Sequence, residues 1–453
     1  MTRSPDIIIC GAGIAGVSAA YHLAVRHGIG NIWLVDDRPP LTLTSDKSTE
    51  CYRNWWPGPG DTMVRFMNRS IDLLEELAEI SGNYFHLSRR GYVFLTAREK
   101  EAARLRETAV SITNLGAGEL RVHDGRTPHT YSHDSQDGAD LITDPALIRQ
   151  TYPFVTTDAV AMLHARRCGW LSAQQLGMYL LQEAKQAGVR QVNGKVVKVD
   201  VANGRIHTVH IQTEAGMTAV QTRTFVNAAG PLQKQVAAFI GVDLPVFNEL
   251  HGKVAIEDYL NVVPRDVPLM IWNDPVELPW TDEEREELAA DAELAWLTRP
   301  FPAGVHFRPE GHGDAQTLLM LWTYHVEAME PVWPPPPFEP EYPEIVVRGL
   351  SRMIPGLSVY FDRMSQPQVD GGYYCKTQEN RPLIGPLPVE GAYLIGALSG
   401  YGIMSSQAAA DLLAAHITGG ALPGYAPDFR LSRYDDPAYQ DLLKQWDAGS
   451  GQL

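Results

Sequence analysis

Short β-branched apolar runs alternate with stretches of helical period near the start of the chain. Asp6-Ile7-Ile8-Ile9-Cys10 is apolar after its first residue, which predicts a strand of a parallel sheet buried on both faces. Val17–Ala24 has a helical pattern closed by Gly28, and Asn31–Val35 reads as a second strand. Asp61–Glu79 predicts an amphipathic helix, Gly91–Leu95 a strand, and the charged run Ala97–Thr108 another helix. Residues 117–140, rich in Gly, Asp, His and Ser, read as exposed loop.

The middle of the chain changes character. Ala173–Ala187 predicts a helix, then Gln191–Asp200 and Ile206–Thr213 predict two strands around the Asn203-Gly204 turn. Thr224–Gly230 is a strand ending in small residues, and Leu244–Asp258 opens a strand-rich region. Thr281–Trp296 predicts an acidic helix, a lid, a subunit contact or a solvated insertion. A Pro-rich connector follows at Trp333–Pro337, then a short helix at Glu344–Met353 and a mixed segment at Gly371–Gly385. Tyr393–Ile395 is a strand, Ser405–Ile417 a helix ended by Gly419-Gly420, and the last ~30 residues read as irregular.

Composition narrows the partners. The 453 residues carry 38 Lys plus Arg against 54 Asp plus Glu, a formal charge of −16 that disfavours nucleic acid and anionic membranes. The longest uncharged stretch, Gly391–Ala410, holds too many polar and small residues for a membrane span. Four scattered cysteines suggest a reducing cytoplasm rather than a disulfide scaffold, and no metal-binding spacing occurs. A small-molecule substrate is the expected partner; an oligomer is left open.

The first strand runs into Gly11-Ala12-Gly13-Ile14-Ala15-Gly16, and Asp36 stands 20 residues after Gly16, at the end of the second strand. Gly11 permits a tight turn, Gly13 lets a pyrophosphate approach the backbone, and Gly16 lets helix and strand pack closely. The helix N-terminus offers free N–H groups to the phosphates, and Asp36 can accept from ribose hydroxyls. Asp37, beside it, reads first as a solvated turn charge. Strand, glycines, helix, strand and acid occur in order, so a dinucleotide site is expected. The fingerprint alone does not choose between NAD and FAD.

Five blocks in order then make the chain resemble the FAD-dependent amine and amino-acid oxidoreductases, the D-amino-acid oxidase superfamily that includes sarcosine oxidase and glycine oxidase. They are the fingerprint with Asp36; Ser45–Arg53; the Gly169 segment with Val196–Gly230; Gly372–Gly385; and Gly396–Ser406. The resemblance implies an α/β (α+β) fold. A discontinuous Rossmann-like FAD-binding domain (1–85, 145–245, 355–430) carries an inserted antiparallel substrate domain (86–144, 246–354) and a tail, 431–453. It implies FAD contacts from Ser45, Ser48, Thr49, Val196, Ala228, Ala229, Gly230, Gly400, Tyr401, Gly402, Ile403 and Met404, beside Gly11, Gly13, Ile14, Ala15, Gly16, Asp36 and Asp37. The family's flavin-linking cysteine would fall at Gly372, with Cys375 three residues on, so non-covalent FAD is expected.

The implied reaction passes a hydride equivalent from the carbon beside an amine to the flavin, with O2 or another acceptor reoxidising it. Arg53 matches the family's carboxylate-binding arginine, and Tyr374 an active-site tyrosine. Met404 stands where sarcosine oxidase-like enzymes place a lysine, so Arg308 is the candidate second cation. His251 and Lys253 fall on a strand expected to run along the flavin. Tyr401 replaces a frequent histidine, and Trp55 and Trp56 are candidates for pocket wall or core. Two further readings stand beside this one: an NAD(P)H-dependent hydroxylase, disfavoured by the fourth block, and an electron-transferring or FAD-binding subunit of a complex.

Overall fold

The chain's structure, a computed structural model, describes residues 4–125, 131–132, 134–311, 313–324, 326–444 and 446. Two sheets organise it. In the first, Ile7–Cys10 pairs in parallel with Ile32–Asp36 on one side and with Thr224–Asn227 on the other. Arg190–Asn193 extends one edge, while Ala392–Gly396 and the antiparallel Leu383–Pro386 extend the other. The helices Ile14–Tyr21, Ala173–Gln186 and Gly402–Thr418 pack together beside this sheet, with Thr62–Ile80 against the last of them. A sheet buried on both faces needs apolar strands throughout, which is why Ile7–Cys10 is buried at every position.

The second sheet has nine strands, mostly antiparallel. From one edge it runs Gln368–Lys376, Phe247–Glu257, Thr317–Leu321, His306–Pro309, Leu269–Trp272, Tyr92–Thr96, Ala161–Ala165, Ala139–Ile142 and Leu120–His123. Its strands Ala161–Ala165 and Gln368–Lys376 come from stretches the sequence assigns to the cofactor domain. The helix Tyr342–Ser351 covers part of one face through Ile345, Val346 and Leu350. No helix among the described residues is long and apolar enough to cross a membrane.

Four expectations need correction. Residues 117–140 are not simply loop: Leu120–His123 and Ala139–Ile142 are paired strands. Their charges hid them, because buried Asp140 accepts from Arg121, His123 and Arg166, which lets polar side chains sit inside a sheet. The Gln191–Asp200 run is two strands in different sheets, divided at Gly194, where a Cβ would stand 2.8 Å from Ile211. The second of them, Lys195–Ala202, continues through Arg205–Thr213 to a third strand, Gly216–Gln221. The acidic helix stops at Ala290, because Asp291 turns extended and its carboxylate accepts the Glu293 N–H. The described part of the tail has short helical turns at Ala426–Phe429, Leu431–Asp435 and Pro437–Leu443. A buried charge rather than a hydrophobic repeat holds them: Arg433 pairs with the fully buried Glu379.

Candidate functional site

The cleft opens at the C-terminal ends of the parallel strands. Gly11 has φ +109°, and a Cβ there would stand 2.4 Å from the Ala228 carbonyl oxygen. A Cβ on Gly16 would stand 1.9 Å from the Gly11 carbonyl oxygen, so Gly16 serves close packing and does not itself line the cleft. Gly13, Ile14 and Ala15 do line it. The helix from Ile14 has no side-chain cap and no acid in its first turn, which leaves its positive end toward the cleft. Ser45 Oγ accepts the Ile14 N–H at 2.9 Å, tying the second block to the first.

Asp36 closes one end. Its carboxylate accepts from the Ala12 N–H at 2.7 Å and the Arg38 N–H at 3.0 Å, which fixes its direction. Burial raises its pKa from the usual value despite those bonds. Asp37, Ser48, Val196, Ala228, Ala229 and Gly230 also line the cleft.

The other end is a strained turn. Ala397 and Ser399 both have positive φ, +51° and +49°, in the left-handed region that non-glycine residues avoid. The surroundings hold them there. Gln233, fully buried, accepts the Ala397 N–H at 3.2 Å and donates to Cys375 Sγ at 2.7 Å. Cys375's carbonyl accepts the Ser399 N–H at 3.0 Å. Gly400 must be glycine: a Cβ would stand 2.4 Å from the Tyr374 ring. The helix Gly402–Thr418 then starts with no side-chain cap and no acid in its first turn. Gly400, Gly402 and Ile403 line the cleft; Tyr401, Met404 and Thr49 lie behind its wall.

FAD fits these residues. Two helix N-termini, the first with its Ile14 N–H held by Ser45, and the Asp36 carboxylate border one continuous cleft. Ser399 Oγ is buried there without a hydrogen-bond partner among the described residues, and a buried hydroxyl is costly unless something bonds it. Gln233 was missed in the sequence because its partners lie far away along the chain.

The candidate catalytic residues divide. Tyr374 lines the cleft, and its ring stacks on His251 with centroids 4.1 Å apart. His251 Nε2 lies 3.0 Å from Glu249 Oε2, which also accepts from Lys376 Nζ at 2.9 Å. Burial lowers the His251 pKa, holding the ring neutral. Lys253 donates to the Asp46 carbonyl at 2.8 Å, and burial lowers its pKa as well.

Arg53, on the short strand Cys51–Arg53, is buried with its guanidinium 4.7 Å above the Trp56 ring. Trp56 meets Tyr401 edge-on at 4.8 Å, which links Arg53 to the start of the helix at Gly402. Burial lowers the Arg53 pKa, and its strongest electrostatic neighbours are the phenols and thiols of Tyr92, Cys168, Cys51 and Tyr401. His306, which the sequence did not single out, sits within reach of that charge. Burial first, and Arg53 in part, lower its pKa to about 4, while Nδ1 lies 2.8 Å from the Gly304 carbonyl.

Arg308 lies elsewhere. It is fully buried, donates from Nε to the Thr49 carbonyl at 2.7 Å, pairs with Glu310 at 2.5 Å and stands 3.9 Å from Glu50. Like Arg53, it does not line the cleft. Burial pushes the Glu50 carboxyl up to about 7, in spite of Arg308 and with Glu310 adding to the rise.

A family model described as "DAO: FAD dependent oxidoreductase" matches residues 6–416, and the chain belongs to that family. Sarcosine oxidase subunit beta of Rhodobacter capsulatus is 28% identical over 203 residues, 44% of this chain and 47% of that protein. Mitochondrial dimethylglycine dehydrogenase of Rattus norvegicus is 23% identical over 439 residues, 96% of this chain and 45% of that protein. The chain spans about half the length of these curated relatives. Among solved structures, L-proline dehydrogenase of P. horikoshii superposes with TM-score 0.73 at 18% identity, covering 96% of this chain and 99% of that one. Iminodiacetate oxidase of Chelativorans sp. BNC1 gives 0.67 at 17% identity, covering 94% and 98%. At such identities the likeness is one of fold, here a mixed α/β fold with parallel and antiparallel sheets.

Proposed function

We propose that this chain oxidises a C–N bond of a secondary amine or amino acid, of the sarcosine, N-methyl amino acid, glycine or proline type, to an imine that hydrolyses in water. The observation that carries the reading is Arg53: a buried guanidinium whose aromatic neighbours, Trp56 and Tyr401, lead to the flavin end of the cleft. A planar guanidinium suits a bidentate contact with a substrate carboxylate, and desolvation strengthens that contact. FAD, when bound, supplies the two-electron acceptor. Trp56 and Tyr401 would exclude water beside Arg53, and the Tyr374 phenol, raised above its usual pKa by burial, would stay protonated and donate to the substrate.

FAD is held here without a covalent bond. Gly372 takes the position of the family's linking cysteine, and a Cβ there would press on Lys47 at 2.8 Å. Cys375 borders the cleft, but burial pushes its thiol up to about 12, so it stays protonated and a poor nucleophile. The names of the curated relatives, a subunit among them, lend support to the amine reading and keep a larger assembly in view.

The test is an anaerobic mix of the yellow protein with sarcosine, N,N-dimethylglycine, proline and glycine, followed by flavin absorbance. Bleaching by one or more of them is the expected result. Bleaching only by NAD(P)H, or by none of these amines, would sink the proposal.

A further inference from the structure

The Pro-rich connector reaches the cofactor cleft from outside. Ala328 bridges to Glu249, and the Met329 N–H donates to the Asn248 carbonyl at 2.8 Å, so the chain runs beside the strand Phe247–Glu257. Val332 is then held by Tyr373: its N–H donates to the phenol oxygen at 3.1 Å, and its carbonyl accepts from the same hydroxyl at 3.0 Å. Trp333 comes next. It meets the Tyr373 ring edge-on at 5.5 Å, and the Arg38 guanidinium lies over its own ring, 4.5 Å from the centroid. Val332 is exposed, so this crossing lies at the surface.

Both partners of Trp333 line the cofactor cleft, and they come from different sheets. Tyr373 is on the large sheet, and its carbonyl accepts from Thr44 Oγ, a cleft residue, at 2.8 Å. Arg38 follows the parallel strand Ile32–Asp36, and its own N–H donates to Asp36. Trp333 therefore spans the rim of the cleft from one sheet to the other. Pro334–Pro337 follow it, four rings that fix φ and offer no N–H, which keeps the connector stiff.

The described lining holds two cations, Arg38 and Lys195, against the carboxylates of Asp36 and Asp37. FAD brings two phosphates to this cleft, so the placing of each cation matters. Nothing among the described residues accepts a hydrogen bond from the Arg38 guanidinium or forms an ion pair with it. A long arginine side chain loses rotamer freedom when it is held, and the indole face holds this one before the cofactor arrives. A guanidinium stacked by its face keeps its N–H edge free for phosphate oxygens. We propose that Trp333 is a positioning residue for the cofactor: it presets Arg38, and the connector that carries it is a strap that slows FAD release. The inference needs FAD in the cleft and does not rest on the amine-oxidation reading.

The experiment follows FAD release from the loaded protein after dilution, by the fluorescence of the freed flavin. Trp333→Leu keeps an apolar side chain on the connector and removes the indole face. It should release FAD about fivefold faster than the parent, while Trp333→Phe, which restores an aromatic face, stays within about twofold of it. Arg38→Ala should also quicken release, and adding Trp333→Leu to it should change nothing further. The cofactor-free Trp333→Leu chain should melt at the parental temperature, which a merely structural role would lower. Release at the parental rate from Trp333→Leu would overturn the proposal, and so would effects of the two substitutions that multiply, or a lowered melting temperature. Release at the parental rate from Arg38→Ala would overturn it without any change to the connector. Each readout concerns the cofactor alone, so a failure here leaves the flavin-bleaching test of the reaction untouched.

Discussion

Arg53 and Arg308 are both buried arginines on strands, yet their surroundings treat the charge in opposite ways. Around Arg308 the chain supplies two carboxylates, Glu310 at 2.5 Å and Glu50 at 3.9 Å, and the guanidinium pKa rises in spite of burial. Around Arg53 burial prevails and the pKa falls. A buried charge is costly unless matched, and the two carboxylates match Arg308. Arg308 is therefore read as a brace: it ties the Thr49 carbonyl, next to Ser48 at the cleft, to the large sheet. Arg53 is the residue we propose as the receptor of a substrate carboxylate. In the sequence Arg53 is the first carboxylate-binding candidate and Arg308 the second, and nothing there shows which charge has carboxylate partners.

The comparison breaks if the brace proves dispensable. Arg308→Ala would strand Glu50 and Glu310, and loss of about 3 kcal/mol in chemical denaturation is expected, the low end for a broken buried pair because Glu310 is half exposed. A loss below about 1 kcal/mol would show that the two arginines are not so different.

A smaller effect sharpens the same contrast. Two acids share Arg308, and burial leaves Glu50 with a pKa of about 7 against an ordinary 4.5. The folded chain thus binds more protons than the unfolded chain between those values, so this group makes stability fall as pH rises from about 4.5 to 7. Glu50→Gln should remove that slope and raise the melting temperature at pH 8 relative to the parent. A steeper slope in the variant would contradict the assignment.

Smallest is the cofactor end. Ser399→Ala deletes a hydroxyl that has no partner among the described residues. FAD affinity should weaken by about 1 kcal/mol, roughly fivefold, in a fluorescence titration of the apoprotein, with stability of the cofactor-free chain unchanged or slightly higher. An unchanged FAD affinity would remove Ser399 from the cofactor's contacts.

What the sequence made legible is what is local. The strand, glycines, helix and acid between Asp6 and Asp36 form one unit, and short-range geometry suffices to read it. The flavin turn at Gly400 was legible as a glycine pattern, but the reason for the glycine, the Tyr374 ring, lies on another strand. Gln233 was not legible, since its bonds to Cys375 and Ala397 span 142 and 164 residues. The strands at Leu120 and Ala139 were hidden because ion pairs, not apolar alternation, bury their polar residues. Arg308 shows the same limit, for a residue type does not tell who neutralises it.

The central proposal is that Arg53 receives a substrate carboxylate. It is tested most directly by anaerobic titration of the FAD-loaded parent and Arg53→Ala with whichever amino acid bleaches the flavin. The account predicts the same bound-flavin spectrum. It also predicts that the variant needs about 100-fold more amino acid for half-bleaching, within the range for truncating one side of a buried charge contact. Half-bleaching at the same concentration in both proteins would contradict it.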